Sequence, residues 1–537
     1  MNNPSRSIFQ FPEVRVVEAS AGSGKTYALA KRYVQLLLSS SLKNESMPIR
    51  TILAITFTNK AAYEMKTRII EFLKLIAFQE LSPVQEKDIL EPLQMSKQEA
   101  SLKAFQIMED LIHHYNFFLV QTIDKFINAI LSGSAFKMGL TANFKIRTNF
   151  KEYLEYSLDE LIDQAAGNRE LEHLFQEFLQ NYLYLENRSG WFPKQDMLFI
   201  LIDLFVQLNT YGLPLRASVV APDTLIKTKR KLLEDIKNLK DNLPEGTNKS
   251  FQKVLEKWVE HHPKGFDIDS ISDYFAWPQL PVRQGTQVPR ETEKLWGKIH
   301  RDLKNLSELE AHHLFDPYVA IFSLVMDNFK HISSQEDILF LNELNKQASL
   351  LFGEGHLTVQ ELYYRLATRF RHYLMDEFQD TSRLQWQNLE LMVEEALSTG
   401  GTLFYVGDRK QAIYQFRGGD VALFDEVKAG FKHFNVHEEI LNQNWRSQPA
   451  IVDFNNQIFS MSNLEHFLAQ KEQYEAEKNK ANAIYFTDED RQALSHVFQT
   501  SEQQKTDGKD GGLVKVEMID APNKEERNEM IKEKVIA

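Results

Sequence analysis

The sequence predicts an α/β protein: a parallel-sheet domain built around a phosphate-binding loop and split by a large all-helical insertion. Three observations lead there. The β-branched run Val14–Val17 meets a glycine-containing turn and then helical periodicity, and a second apolar run with a second helix follows at 52–78. A long stretch of helical spacing comes next. Short apolar runs then return at Tyr373–Met375 and Leu403–Val406, each ending in acidic residues, where strands of a parallel sheet open on a ligand crevice. Strands alternating with helices are the signature of a parallel sheet.

At roughly 150 residues per domain, 537 residues amount to about three or four domains with ample core. Only 22 glycines and 16 prolines punctuate the chain, so turns are sparse and helix should outweigh strand. The absence of cysteine excludes disulfides, zinc-thiolate sites and cysteine nucleophiles and suits a reducing compartment. The N-terminal residues lack the apolar core of a signal peptide, and no run approaches 18 apolar residues, so a cytoplasmic protein with no membrane partner is expected. A net charge of −13 excludes a wholesale basic coat for nucleic acid but leaves room for a local basic channel.

Each element has its own warrant. Leu29, Tyr33, Leu36 and Leu37 recur at helical spacing over Tyr27–Leu38. Ile52–Phe57 reads as a buried strand, and Ala61–Phe78 as a helix with Met65, Ile69, Phe72 and Ile76 on one face. From Leu81 to Gln360 the patterns are helical, and four of the six tryptophans fall there. Within this stretch the lysines from Lys227 to Lys257 alternate with acids, which reads as a solvated helix face, with a duplex-contacting surface as the alternative. The adjacent histidines His113-His114, His261-His262 and His312-His313 point to different helix faces and read as solvated or packed rather than metal-ligating. Glu439–Leu441 is strand-like and leads into Asn444–Ser447 and a helix; Gly512–Glu517 predicts a further strand, and Lys524–Ala537 a charged helix.

Chemistry concentrates in two places. Ala19-Ser20-Ala21-Gly22-Ser23-Gly24-Lys25-Thr26 is a P-loop with alanine in place of the first glycine. Backbone N–H groups and the helix N-terminus hold phosphate oxygens there, Lys25 neutralises β/γ charge, and the Thr26 hydroxyl meets Mg²⁺. Asp376-Glu377 follows the apolar run at 373–375, with Asp376 placed for Mg²⁺ and Glu377 placed to accept a proton from the attacking water. Together they predict hydrolysis of ATP or GTP.

Four further runs, Thr56–Ala62, Asp376–Thr381, Val406–Gly418 and Asn444–Ser447, resemble successive motifs of superfamily 1 DNA helicases of the UvrD/Rep kind. Glu18–Thr26, Lys410–Tyr414 and the tryptophan of Asn-Trp-Arg-Ser are most similar to the RecB/AddA branch, the exodeoxyribonuclease V-type helicase-nuclease subunits. The resemblance implies a P-loop RecA-like domain in two parts, 1–145 and 361–445, a helical insertion at 146–360, and the start of a second RecA-like domain at 446–537. It implies ATP with Mg²⁺, Gln411 as γ-phosphate sensor and Arg446 as arginine finger, with Glu377 as the base. Single-stranded DNA would run over Phe57, Asn59, Lys60, Thr122, Tyr414, Phe416 and Arg417. Asp124 stands where the family motif commonly carries histidine, and Gln10 is the single candidate for an adenine-reading glutamine.

The later motifs of the second domain and any nuclease signature are not found, so the sequence is expected to be the N-terminal portion of a protein about twice as long. The function implied is an ATP-dependent helicase or translocase in double-strand-break repair and DNA end processing, acting on single-stranded and duplex-end DNA, with other subunits of a helicase-nuclease complex as partners. Two alternatives stand beside it: a UvrD-like repair helicase without nuclease, and a non-catalytic DNA-binding scaffold protein. If Phe416 stacks on a base, Phe416→Ala is expected to remove about 1–3 kcal/mol of single-strand affinity. ATP affinity should barely change. Unchanged DNA affinity with a large fall in melting temperature would make Phe416 a core residue instead.

Overall fold

The computed structural model describes residues 11–39, 48–141, 143–185, 193–212, 215, 222–263, 265–283, 285–353, 358–366, 369–413, 418–478 and 486–536. Among them lie ten strands: β1 (Glu13–Ala19), β2 (Ile52–Thr56), β3 (Val120–Thr122), β4 (Lys145–Arg147), β5 (Ile338–Phe340), β6 (His372–Met375), β7 (Thr402–Gly407), β8 (Asn435–Leu441), β9 (Gln443–Asn444) and β10 (Gln504–Lys505). The chain forms two compact units, one of Met1–Phe126, Thr358–Lys478 and Ile484–Ala537, the other of Ile127–Leu357 with Asn479–Ala483. No described helix is long and apolar enough to cross a membrane.

The first unit carries a six-stranded parallel sheet in the order β3-β2-β6-β7-β1-β8. Its four inner strands are almost wholly buried, as a parallel sheet covered on both faces requires. The period of two is visible in β7. Phe404 and Val406 join a core with Leu29, Tyr33 and Leu36 of helix α1 (Lys25–Leu38) and Met65, Ile69 and Phe72 of helix α2 (Asn59–Ala77). Tyr405, on the other face, meets Phe378 and Phe424 with ring centroids 4.4 and 5.2 Å apart. Helix α2 starts two residues before the apolar periodicity because the Thr58 side chain accepts the Ala61 N–H as an N-cap.

One expected strand is absent and one unexpected strand is present. Gly512–Glu517 forms no strand, although its residues alternate apolar and polar: Leu513 is 84% exposed and Val516 66% exposed, so no neighbour among the described residues buries them. Conversely β3, three residues long, escapes detection because so short a run carries no period.

At the lower end of β1, Glu13 is almost completely buried and pairs with Arg32 of α1, while Arg15 Nη2 donates to the same carboxylate at 2.8 Å. Burial pulls the Arg32 guanidinium down to about 10, Glu13 opposing and Arg15 adding to the fall. This pair fastens α1 to the strand that precedes it.

The second unit is helical around two cores. One joins the helices Lys151–Ala165, Arg169–Leu185 and Pro193–Tyr211 through Leu154, Phe178 and Phe205. The other joins Pro222–Asp241 and Lys249–His261 through Leu232, Ile236 and Phe251. A 46-residue helix, Arg290–Gln335, serves both: Trp296, Ile299 and Leu306 enter the second core, and Tyr318 to Phe329 the first. The insertion is not purely helical as expected, since β4 and β5 pair in parallel and Thr247 bridges Val282.

Removing Arg32 would leave Glu13 buried with only the partly exposed Arg15 as partner. Arg32→Met is therefore expected to cost about 3–5 kcal/mol, because a buried charge loses its partner. Denaturant unfolding measures this; an unchanged midpoint would show that Arg15 alone neutralises Glu13.

Candidate functional site

Because every strand of the sheet is parallel, the loops that follow β1, β6 and β7 open on one edge. Residues 20–24 turn from β1 into α1 with Gly22 at φ +79° and Gly24 at φ +97°, conformations that side-chain-bearing residues rarely adopt. Ser23 closes the turn, its N–H and hydroxyl both donating to the Ser20 carbonyl, at 3.1 and 2.7 Å. Ala19 is fully buried as the last strand residue, where it packs in the core rather than facing the cavity. A glycine there has no conformational task, which accounts for alanine. Lys25 opens α1, so the free N–H groups of a 14-residue helix face the same edge.

The acidic turn after β6 meets this loop. Lys25 Nζ lies 3.0 Å from Glu377 Oε2 and donates to Gln411 Oε1 at 3.0 Å. From there a chain of hydrogen bonds closes on itself. Gln411 Nε2 donates to Asp408 Oδ2 at 2.8 Å, the Asp408 N–H donates to Gln379 Oε1 at 2.9 Å, and Gln379 Nε2 donates to Glu377 Oε2 at 2.7 Å. The ends of three strands, β1, β6 and β7, are thus tied through side chains and the Asp408 backbone N–H.

Burial, worsened by the adjacent Glu377 charge and relieved in part by Lys25, pushes Asp376 up to about 7. Burial and Glu377 likewise push Asp380 up to about 6. An added positive charge would stabilise the ionised form of Asp376, so Asp376 and the hydroxyl-bearing Thr26, which borders the cavity, could hold a divalent cation.

Asn444–Ser447 packs on the loop from the opposite side. The Trp445 N–H donates to the Gly22 carbonyl at 2.9 Å, and Asn444 Oδ1 accepts the N–H groups of Arg446 and Ser447 at 2.9 and 2.8 Å. A cavity of about 580 Å³ results, bordered by Gly22, Gly24, Lys25, Thr26, Glu377, Gln411, Trp445 and Arg446. A second cavity, of about 680 Å³, adjoins Gly24 and Tyr27 and shares Trp445. Below the loop, Arg409 joins Glu18 at 2.7 Å to Asp425 at 2.6 Å, and His496 reaches Asp425 at 3.0 Å.

Of the residues expected to meet DNA, Phe57, Asn59, Lys60 and Thr122 follow or end β2 and β3, whose Thr56 and Thr122 lie in register. They share the carboxyl edge with the cavity, separated from the β1 loop by β6 and β7. Lys60 is exposed and 3.9 Å from Glu64, whereas Thr122 is buried and its hydroxyl accepts the Lys125 N–H. Tyr414, Phe416 and Arg417 lie outside the described residues. Three side chains at the site were given no role by sequence reasoning. Trp445 is half exposed on both cavities, Gln379 is fully buried in the hydrogen-bonded ring, and Gln503 donates to the Ala21 carbonyl at 2.9 Å. The first two sit inside quoted motifs, so the signal was present; Gln503 lies in a polar stretch and had none.

Residues 2–432 match the model of the UvrD/REP helicase N-terminal domain. The chain belongs to this family. Among relatives of this UvrD/REP-family chain, an ATP-dependent helicase/nuclease subunit of Streptococcus mutans is 25% identical over 491 residues, covering 83% of the chain and 37% of the relative. RecBCD enzyme subunit RecB of Buchnera aphidicola is 24% identical over 519 residues, covering 93% and 42%. The corresponding ATP-dependent helicase/nuclease protein of Anoxybacillus flavithermus is 25% identical over 511 residues, covering 84% and 40%. The UvrD/REP-family chain thus spans about two-fifths of the length of these relatives.

A Cβ at position 22 would lie 2.9 Å from Arg446 Cβ and 3.0 Å from Asn444 Oδ1. Gly22→Ala is therefore expected to cost about 1–3 kcal/mol through strain at positive φ and displacement of the Asn444–Ser447 turn. Denaturant titration reads it, and an unchanged midpoint would mean that the loop relaxes freely.

Proposed function

We propose that this chain is the ATP-hydrolysing motor portion of a DNA helicase or translocase that works in the cytoplasm on double-strand-break ends, within a helicase-nuclease assembly of the RecB/AddA kind. The observation that carries this reading is the convergence of Lys25, Glu377 and Gln411 within 3.0 Å steps on the loop that Asn444–Ser447 covers. Holding a nucleotide needs a loop and a lysine. A carboxylate and an arginine around the same cavity suit hydrolysis.

In this reading the N–H groups of residues 22–26 and the ammonium of Lys25 bind the β- and γ-phosphates of ATP. Asp376 and Thr26 would hold Mg²⁺, which would supply positive charge against the phosphate oxygens. Glu377 orients the attacking water and takes its proton, Gln411 contacts the γ-phosphate, and Arg446 stabilises charge on the phosphoryl group in flight. The flat face of Trp445 is available to a nucleobase. Single-stranded DNA crosses Phe57, Asn59, Lys60 and Thr122 and then Tyr414, Phe416 and Arg417, stacking on the aromatic rings. Residues from 446 onward begin the second RecA-like domain, whose approach and withdrawal move the strand.

Lys25→Ala tests the reading. ATP turnover with single-stranded DNA present is expected to fall by about 100-fold or more, the scale on which a positioned charge serves a transition state. Single-strand affinity, which uses other residues, stays within about twofold. Normal turnover in the variant refutes the assigned site, and absence of turnover in the unsubstituted chain favours the non-catalytic scaffold.

A further inference from the structure

Gln379 borders neither cavity, yet, like Lys25 on the cavity side, it touches both Glu377 and the loop after β7. It is 1% exposed, and its amide has a single satisfying orientation: the oxygen must accept the Asp408 N–H, and the nitrogen must donate to the Glu377 carboxylate. The surroundings are built for it. A Cβ on Gly407 would lie 2.4 Å from Gln379 Oε1, so glycine at 407 is what admits the amide. Glu377 itself stands at φ +49°, ψ +46°, an uncommon backbone state for glutamate, and the buried Phe378 ring clamps the turn against Tyr405 and Trp386. Phe378 thus fixes the backbone. Only Lys25 and Gln379 hold the carboxylate in the hydrogen bonds and ion pairs described for Glu377 Oε2.

We propose that Gln379 is a positioning residue that sets the Glu377 carboxylate for hydrolysis and makes that setting follow the Asp408–Gln411 loop. The proposal rests on the reading of Glu377 as base. The loop reports on Lys25 through Gln411 and leads directly into the segment expected to hold DNA, so a shift of Asp408 moves the amide and, through it, the carboxylate. Charged groups facing this point are Lys25 from α1, Asp376 and Asp380 in the same turn, and Asp408 from the β7 loop, itself paired with Lys410 at 2.9 Å.

The test is single-turnover hydrolysis by the 537-residue chain with single-stranded DNA present. Gln379→Met, which loses the bonds to Glu377 and Asp408 and the longer one to Asp380 at 3.4 Å, is expected to slow the step by about 10- to 100-fold, the range for a misplaced catalytic group. ATP affinity should stay within about twofold. Gln379→Glu keeps an acceptor for the Asp408 N–H but sets a second carboxylate against Glu377, so it should be as slow at unchanged melting temperature. A residue that merely braces β7 would tolerate that substitution, and normal turnover of Gln379→Glu overturns the proposal. Glu377→Gln and Glu377→Gln/Gln379→Met should be equally slow, because Gln379 acts only through Glu377. If Glu377→Gln hydrolyses ATP normally, the reading of Glu377 as base fails; if it is slow while Gln379→Met is normal, only the positioning role fails.

Discussion

The constraint on which the site depends is that six strands run the same way. In a parallel sheet all carboxyl ends share an edge, and whatever follows each strand is delivered there without any loop having to travel. Here β1 delivers the glycine-bearing loop, β6 the Asp376-Glu377 turn, and β7 Asp408 to Gln411. The order β2-β6-β7-β1 puts strands from residues far apart in the chain side by side, which is how a polypeptide interrupted by more than two hundred residues still assembles one cavity. A buried Glu13–Arg32 pair at the other end of β1 keeps strand and helix in step beneath the loop.

An unequal charge balance follows. Asp376, Glu377, Asp380 and Asp408 crowd one edge against the ammonium groups of Lys25 and Lys410. Burial pushes Asp376 and Asp380 upward, and the neighbouring Glu377 charge adds to it. An added cation would relieve this crowding, which suits the proposed binding of a metal–nucleotide complex at this edge. Uncharged glutamines are the connectors best suited to this setting. Gln379 and Gln411 each donate and accept, linking charged groups without adding charge.

Much of this was legible in the sequence, and the reasons are local. The runs at 14–17, 52–57, 373–375 and 403–406 announced strands because they are largely apolar and end at glycine or acid or before a helix, as inner parallel strands do. The edge strand β8 was legible only at Glu439–Leu441, since its earlier residues are partly or fully exposed and mostly polar. β3 was too short to show a period, and 512–517 showed alternation with nothing to pair against. In the site, the residues proposed to meet ligand were visible as motifs. Gln379 was visible as a letter but silent in meaning, because its second partner, Asp408, lies 29 positions away and contributes only a backbone N–H. Likewise the docking of Trp445 on Gly22 joins residues more than four hundred positions apart, which spacing cannot express.

The helix Arg290–Gln335 carries one more consequence. Its two ends are locked into separate cores, but between Leu306 and Pro317 no residue is buried. Leu309 borders the second core and Glu310 pairs with Lys229, and the turn and a half that follows buries no side chain in either core. Helix with so little tertiary support is marginal in water. Pro317 further removes one donor from the ladder where the bare stretch ends. The softest joint of the insertion is therefore inside its longest helix, so the two bundles can bend against each other along a shaft that breaks and reforms a few hydrogen bonds while both cores stay intact.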